Sequence, residues 1–202
     1  YYMKICVANL GINNIKSACD FFSKFGEVYM INDIIEFQEN TNLFILPGNG
    51  SFDTGMKMLK KKKFDKLLER LINTKILIIG ICLGMQLLFN ESEEAIDEKG
   101  LGFFDGKVEK INSKHCNIPL LGWYETFSKK NVLLNKKNFY FNNKYSCVPE
   151  SDRYNLSYLD LIESKIIASI KKDNVIGFQF HPEKSSKNGH EIIENFLKHE
   201  KF

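Results

Sequence analysis

What this chain of 202 residues lacks narrows the field first. No apolar run approaches the roughly 20 residues that cross a bilayer as a helix, and "MKICVANLGI" is no secretory signal. No two cysteines form a C-x-x-C pair. The five present (Cys6, Cys19, Cys82, Cys116 and Cys147) are odd in number and scattered, which argues against a disulfide framework or a zinc site and for a reducing cytoplasm. There is no strong charge of either sign, and a net +3 is too mild to point to nucleic acid. Internal repeats and low-complexity segments are missing too. The one charge run, "KMLKKKKFDK", reads as a solvated helix face, with a docking patch for an acidic partner as the other reading.

What is there is the balance of an ordinary globular domain, 44% apolar and 26% charged. Tyr1 and Tyr2 precede Met3 and are read as foreign to the fold, which leaves one domain over 3–202. "KICVAN" reads as a buried strand, and Ile15, Ala18, Phe21 and Phe22 give Asn14 to Phe25 a helical spacing. "EVYMI" and "NLFILPG" are the next strands. A helix follows through Phe64, Leu67, Leu68 and Leu71, and then "KILIIG", a strand with no polar face, as a central parallel strand has none. From about Gly100 the strands shorten, at "GKVEKI", "KNFYF" and "SKIIASI", and "SIKKDNVIGFQF" reads as a hairpin turning at Asp173-Asn174. "GHEIIENFLKHE" closes the chain as an amphipathic helix. The fold class expected is α/β: an open, mostly parallel twisted sheet flanked by helices, with a smaller antiparallel part.

Ligands of such sheets sit outside the carboxyl ends of the strands, and the strand ending at Ile79 delivers Cys82 there. Gly80-x-Cys82-x-Gly84 has the spacing of a nucleophile elbow, where a tight strand-to-helix turn leaves room only for glycine beside the nucleophile. The helix expected to begin there offers free N–H groups and the positive end of its dipole, which favour a thiolate. The other four cysteines read as small core residues.

A cysteine nucleophile needs a base, and the base an orienting group. Of the four histidines, His190 and His199 fall on the polar part of the last helix, and His115 in the polar loop "NSKHCN". His181 follows the apolar strand "VIGFQF", is locked by Pro182, and has Glu183 two positions on. That arrangement presents imidazole to the cleft while the carboxylate fixes its tautomer. "LPGNGSF" is either an ordinary Gly-Pro turn or a loop whose N–H groups build an oxyanion hole.

Taken together, "LPGNGSF", "GICLGMQLLF" and "FQFHPEKS" resemble the class I (triad) glutamine amidotransferases, and within them the glutaminase subunits of imidazole glycerol phosphate synthases. "GINNIKSA", "GLGFFDGKVEKI" and "LGWYE" extend the likeness over nearly the whole chain. The resemblance implies Cys82 as nucleophile, His181 as general base and acid, and Glu183 as its orienting residue. It implies Gln86 as a glutamine-binding residue, and Leu83 and the Asn49-Gly50 peptide as oxyanion donors, the latter after a backbone rearrangement. It implies no cofactor and no metal. The substrate would be L-glutamine, and the ammonia would pass to a (β/α)8-barrel cyclase in a heterodimer.

The chain departs from the family's usual residues at Asn9, Asn49, Leu120, Tyr124 and Asn143, most of which are expected where the family meets its synthase or signals to it. Trp123 is an interface residue by the resemblance and plain core by its residue type. Two alternatives follow: a paralogous subunit that feeds a sugar-amidating synthase, and a catalytically silent scaffold.

Overall fold

The computed structural model describes residues 3–12, 15–95, 97–113, 116–161 and 164–199. Tyr1, Tyr2, Asn14 and His115, all weighed above, lie outside the described residues.

The first half alternates strand and helix as its apolar spacing requires: β1 (Met3–Ala8), α1 (Ile15–Phe22), β2 (Gly26–Ile31), β3 (Leu43–Gly48), α2 (Phe52–Lys61), α3 (Phe64–Leu71) and β4 (Leu77–Cys82). A single turn, α4 (Leu83–Gln86), leads to β5 (Phe89–Ser92) and β6 (Phe104–Lys110). The second half is mostly strand: β7 (Leu120–Thr126), β8 (Lys137–Asn143), β9 (Tyr145–Pro149), β10 (Asn155–Leu161), β11 (Ser164–Lys172) and β12 (Val175–Phe178). The last helix is α5 (Ser186–His199).

The central sheet has seven strands in the order β10-β11-β12-β4-β3-β1-β2. From β2 to β12 the pairs are parallel, while β11 and β10 run antiparallel at one edge. The expected hairpin is present: β11 meets β12 with Lys172 opposite Val175, and Asp173 takes the positive φ (51°) that so short a turn requires. A three-stranded sheet, β5-β6-β9, and the two-stranded β7-β8 make up the smaller β part.

Alternation along the strands sorts the core into two layers. Ile5, Val7, Leu43, Ile45, Ile79 and Ile81 face α1, α5 and the β7-β8 hairpin. Cys6, Ala8, Phe44, Leu46 and Ile78 face α2, α3 and the β5-β6-β9 sheet. β3 and β4 are buried along their full length, as their unbroken apolar sequence predicts. α3 shows how packing carries a weak helix: it has eight residues, and its N-cap, Lys63, makes no side-chain cap. Phe64, Leu67, Leu68 and Leu71 are nonetheless buried, each contributing about 1.5–3 kcal/mol relative to exposure. The lysine run ends α2 and opens α3, with Lys57 paired to Asp53 at 2.9 Å and Lys60 to Glu98 at 2.6 Å, so it is a solvated face.

Candidate active site

Cys82 ends β4, with Gly48 of β3 as its register partner. Its backbone sits at φ 53°, ψ −109°, a region that costs a non-glycine residue about 1–3 kcal/mol and persists only where the surroundings enforce it. The enforcement is visible at the flanking glycines. A Cβ on Gly80 would come within 2.8 Å of the Gly84 carbonyl oxygen, and one on Gly84 would collide with the carbonyl of Leu46. The helix expected after Cys82 begins at Leu83 and is four residues long. The chain continues through the core, and the carbonyls of Leu87 and Leu88 accept from Leu101, Phe103 and Phe104 instead of extending the helix. A single turn sums few peptide dipoles, so its near N–H groups matter more here than a macrodipole.

Because β12 pairs with β4, the residues after β12 arrive beside Cys82. His181 is held there by its backbone: its N–H donates to the Tyr140 carbonyl at 2.9 Å, and its carbonyl accepts from Ser185 Oγ at 2.6 Å. Ser185 Oγ in turn accepts from the Tyr140 N–H at 3.0 Å, which locks the segment onto β8. The ring is oriented by Glu183, whose Oε1 accepts from Nδ1 at 2.8 Å, with His181 buried and Glu183 largely so. That bond leaves Nε2 as the free ring nitrogen, buried and without a hydrogen-bond partner.

Burial is the largest influence on the His181 imidazole and works against its charge. The Cys82 sulfur and the Glu183 carboxylate outweigh it and push its pKa up to about 10. Cys82 and His181 therefore form an electrostatic pair. Burial dominates instead at three other cysteines: it pushes the Cys6 thiol up to about 12, raises Cys19, and holds Cys147 well above the ordinary range.

A cavity of about 250 Å³ opens over the sulfur, and Asn49, Gly50, Cys82, Leu83 and Gln86 line it together. A narrow cleft of about 30 Å³ runs behind it past Gly48, Asn49, His181 and Glu183. All seven residues expected to act are thus gathered at the carboxyl ends of β3, β4 and β12. Gly50 has φ +129°, a conformation that only glycine adopts without strain.

The sequence pattern of the family described as glutamine amidotransferase class-I matches residues 13–199. The chain belongs to this family. A curated relative, subunit HisH 2 of imidazole glycerol phosphate synthase from Methanococcus maripaludis, is 39% identical over 201 residues, covering 96% of this chain and 98% of its own. The HisH subunit from Pyrococcus furiosus is 37% identical over 198 residues, covering 96% and 97%. Among solved structures, PurLQS from Thermotoga maritima aligns with a TM-score of 0.76 at 19% identity over all of both chains, a likeness of fold.

In this amidotransferase several residues reach the site that sequence reasoning left without a role. Gln179 is fully buried and touches the Cys82 sulfur; its signal was a lone amide in the apolar run "VIGFQF". Glu94 lines the cavity and accepts from the Phe52 N–H at 2.8 Å, tying the start of α2 to the cavity wall, and nothing in its acidic surroundings marked it. Two of the family departures prove to be one feature. Leu120 and Asn143 are register partners across β7-β8 and both are buried, Asn143 in the wall of the cavity, so neither side chain lies on the exposed surface. Trp123 is 50% exposed, which rules out the plain core reading, and packs edge-on against Tyr140. His190 is half-buried against Phe25, ring centroids 4.7 Å apart, instead of simply solvated. Among the described residues no group of three or more histidine, cysteine or acidic side chains is placed to hold a metal, and no helix is long and apolar enough to cross a membrane.

Proposed function

We propose that this chain is the glutaminase subunit of an imidazole glycerol phosphate synthase, hydrolysing L-glutamine to glutamate and ammonia at Cys82, His181 and Glu183. The observation that carries the reading is the His181 ring, fixed by Glu183 at 2.8 Å in the narrow cleft and raised in pKa by the Cys82 sulfur, which lines the cavity beside it. The intact trio speaks against a silent scaffold, and the HisH relatives favour this subunit over a sugar-amidating one.

The chemistry follows from these groups. The Cys82 thiolate attacks the side-chain amide carbon of glutamine, and the N–H groups of Leu83 and of the Asn49-Gly50 peptide stabilise the oxyanion. His181, held as imidazolium, gives its proton to the departing nitrogen; the C–N bond breaks, ammonia leaves, and a glutamyl thioester remains. Thioester formation also removes the sulfur's charge, one of the causes that raised the His181 pKa, while burial still lowers it. His181 is then suited to the second step as a neutral base. It takes a proton from water, the resulting hydroxide displaces the thiolate, and glutamate is released with the imidazolium restored. Gln86, whose Oε1 makes no hydrogen bond among the described residues, is the acceptor offered to the bound glutamine.

Ammonia protonates readily in water, so its use requires a synthase sealed over the cleft. The family resemblance makes that synthase a (β/α)8 barrel. Leu121 and Trp123, 59% and 50% exposed, project side by side from the hairpin that borders the cavity and supply an apolar docking patch. The test is synthesis by the complex with the candidate barrel subunit. C82A should abolish glutamine-dependent synthesis and leave synthesis from ammonium salt intact; a C82A complex that still uses glutamine at the wild-type rate overturns the assignment.

A further inference from the structure

Strand alternation carries past the end of β12. Phe178 and Phe180 pack together on one side, ring centroids 5.0 Å apart and planes tilted by 39°, which turns Gln179 to the same side as His181. The Gln179 side chain is completely buried, and a buried amide is tolerated only when its polar ends are paired. Both are. Its Nε2 donates to Cys82 Sγ at 3.8 Å, and its Oε1 accepts from Gln86 Nε2 at 3.1 Å.

The direction of this chain is fixed from outside. Gln86 Nε2 also donates to the Tyr145 carbonyl at 3.1 Å, and that carbonyl receives Asn143 Nδ2 at 2.9 Å. A carbonyl only accepts, so the Gln86 amide must turn its NH2 inward. Gln179 must then meet that NH2 with its oxygen and turn its own NH2 to the sulfur. On another side the sulfur faces the Asn142 carbonyl at 3.8 Å, an acceptor that suits the S–H form and opposes the charged one. An N–H donor is what the thiolate needs as counterweight.

We propose that Gln179 is a positioning residue for the nucleophile: its amide, oriented by Gln86 and the Tyr145 carbonyl, donates a hydrogen bond that holds the Cys82 sulfur in place and favours its charged form. The proposal rests on Cys82 being the nucleophile. The titratable groups around the sulfur are His181, after β12, Cys147, on β9, and Glu94, Lys144 and Tyr145 in the cavity wall; Glu183 acts through His181. Gln179 adds a neutral donor to that set.

The test is alkylation of Cys82 by iodoacetamide, a probe too small to depend on the glutamine pocket, measured by mass spectrometry across pH in the full chain. Q179M keeps the volume and removes the donor. It should slow alkylation near neutral pH roughly tenfold, the scale of one hydrogen bond to a charged group, and move the profile to higher pH. Its kcat should fall while the KM for glutamine stays within about twofold, since the residue acts on the sulfur and not on the substrate. Q86M, which releases the Gln179 amide, should move the profile the same way by less. Wild-type alkylation and kcat in Q179M overturn the proposal, as does a lowered melting temperature with an unchanged profile. Full glutaminase activity in C82A would instead overturn the nucleophile assignment, and this role with it.

Discussion

Gly84 rests its bare Cα against the carbonyl of Leu46, so closely that no side chain fits between the end of β3 and the turn after Cys82. The unusual backbone of Cys82 is held by this backbone-to-backbone contact. G84A must push the two segments apart. Overpacking of this kind destabilises by about 1–3 kcal/mol, and each kcal/mol lowers Tm by about 2–4 °C in a domain of this size. A thermal melt should show the drop, and the glutaminase rate should fall with it because Cys82 is displaced. A variant with wild-type Tm and rate would show that β3 and the elbow are not in contact.

Much of this was legible in the sequence because the physics is local. "LIIGIC" is apolar at every position, so it reads as a strand buried on both faces, and β4 is one. A cysteine between glycines at the end of such a strand, and a histidine with a carboxylate two residues on, report their geometry through spacing alone. Two missed strands lack that periodicity. β10, "NLSYLDL", and β9, "YSCVP", mix polar and apolar residues because each covers only part of the core; β9 pairs with the distant β6, and the ladder of β10 with its neighbour β11 is broken by register shifts. Gln179 and Glu94 were missed for a related reason. Their roles depend on Gln86 and Phe52, which lie far away in the chain and are brought together only by the fold.

The 2.8 Å bond between His181 and Glu183 sorts the two by role. H181A removes the proposed proton carrier and should eliminate nearly all turnover. E183Q keeps a neutral acceptor beside Nδ1, so the ring loses charge stabilisation but keeps its placement, and the loss should be smaller. Steady-state glutaminase assays in the assembled complex decide it. Equal losses in the two variants would mean that Glu183 does more than orient the ring.

The raised His181 pKa carries a sign that can be tested directly. Burial alone would push the imidazole below its ordinary 6.5; the sulfur and Glu183 reverse this and take it to about 10. In the resting chain His181 should therefore keep its proton at pH 7–9, a window between those two values. Alkylating Cys82 removes the sulfur's charge and leaves burial opposed by Glu183 alone, so the proton should come off at markedly lower pH. Nitrogen NMR shifts of the His181 ring, followed by titration before and after alkylation, give both values. A titration that alkylation leaves unmoved would mean that the sulfur does not charge the ring, and the two-step use of His181 would fall.

The last prediction concerns when the site is switched on. A glutaminase that ran without its synthase would waste nitrogen, so the isolated chain is expected to be poorly active. The Asn49-Gly50 peptide is the element suited to hold it back: Gly50 lies in the cavity wall at φ +129°, where rotation of the peptide is inexpensive for glycine. With that N–H turned away, one of the two oxyanion donors is missing, a loss of about a hundred- to a thousandfold in rate. A barrel partner carrying its own ligand would favour the inward state through contacts that only this state makes. Adding the partner and its substrate should then raise kcat by up to that factor with little change in KM. G50A strains the peptide in its present conformation and should change the ratio of activated to basal rate more than it changes glutamine binding. Full activity in the isolated wild-type chain, or a G50A variant activated like the wild type, would remove the peptide from the switch.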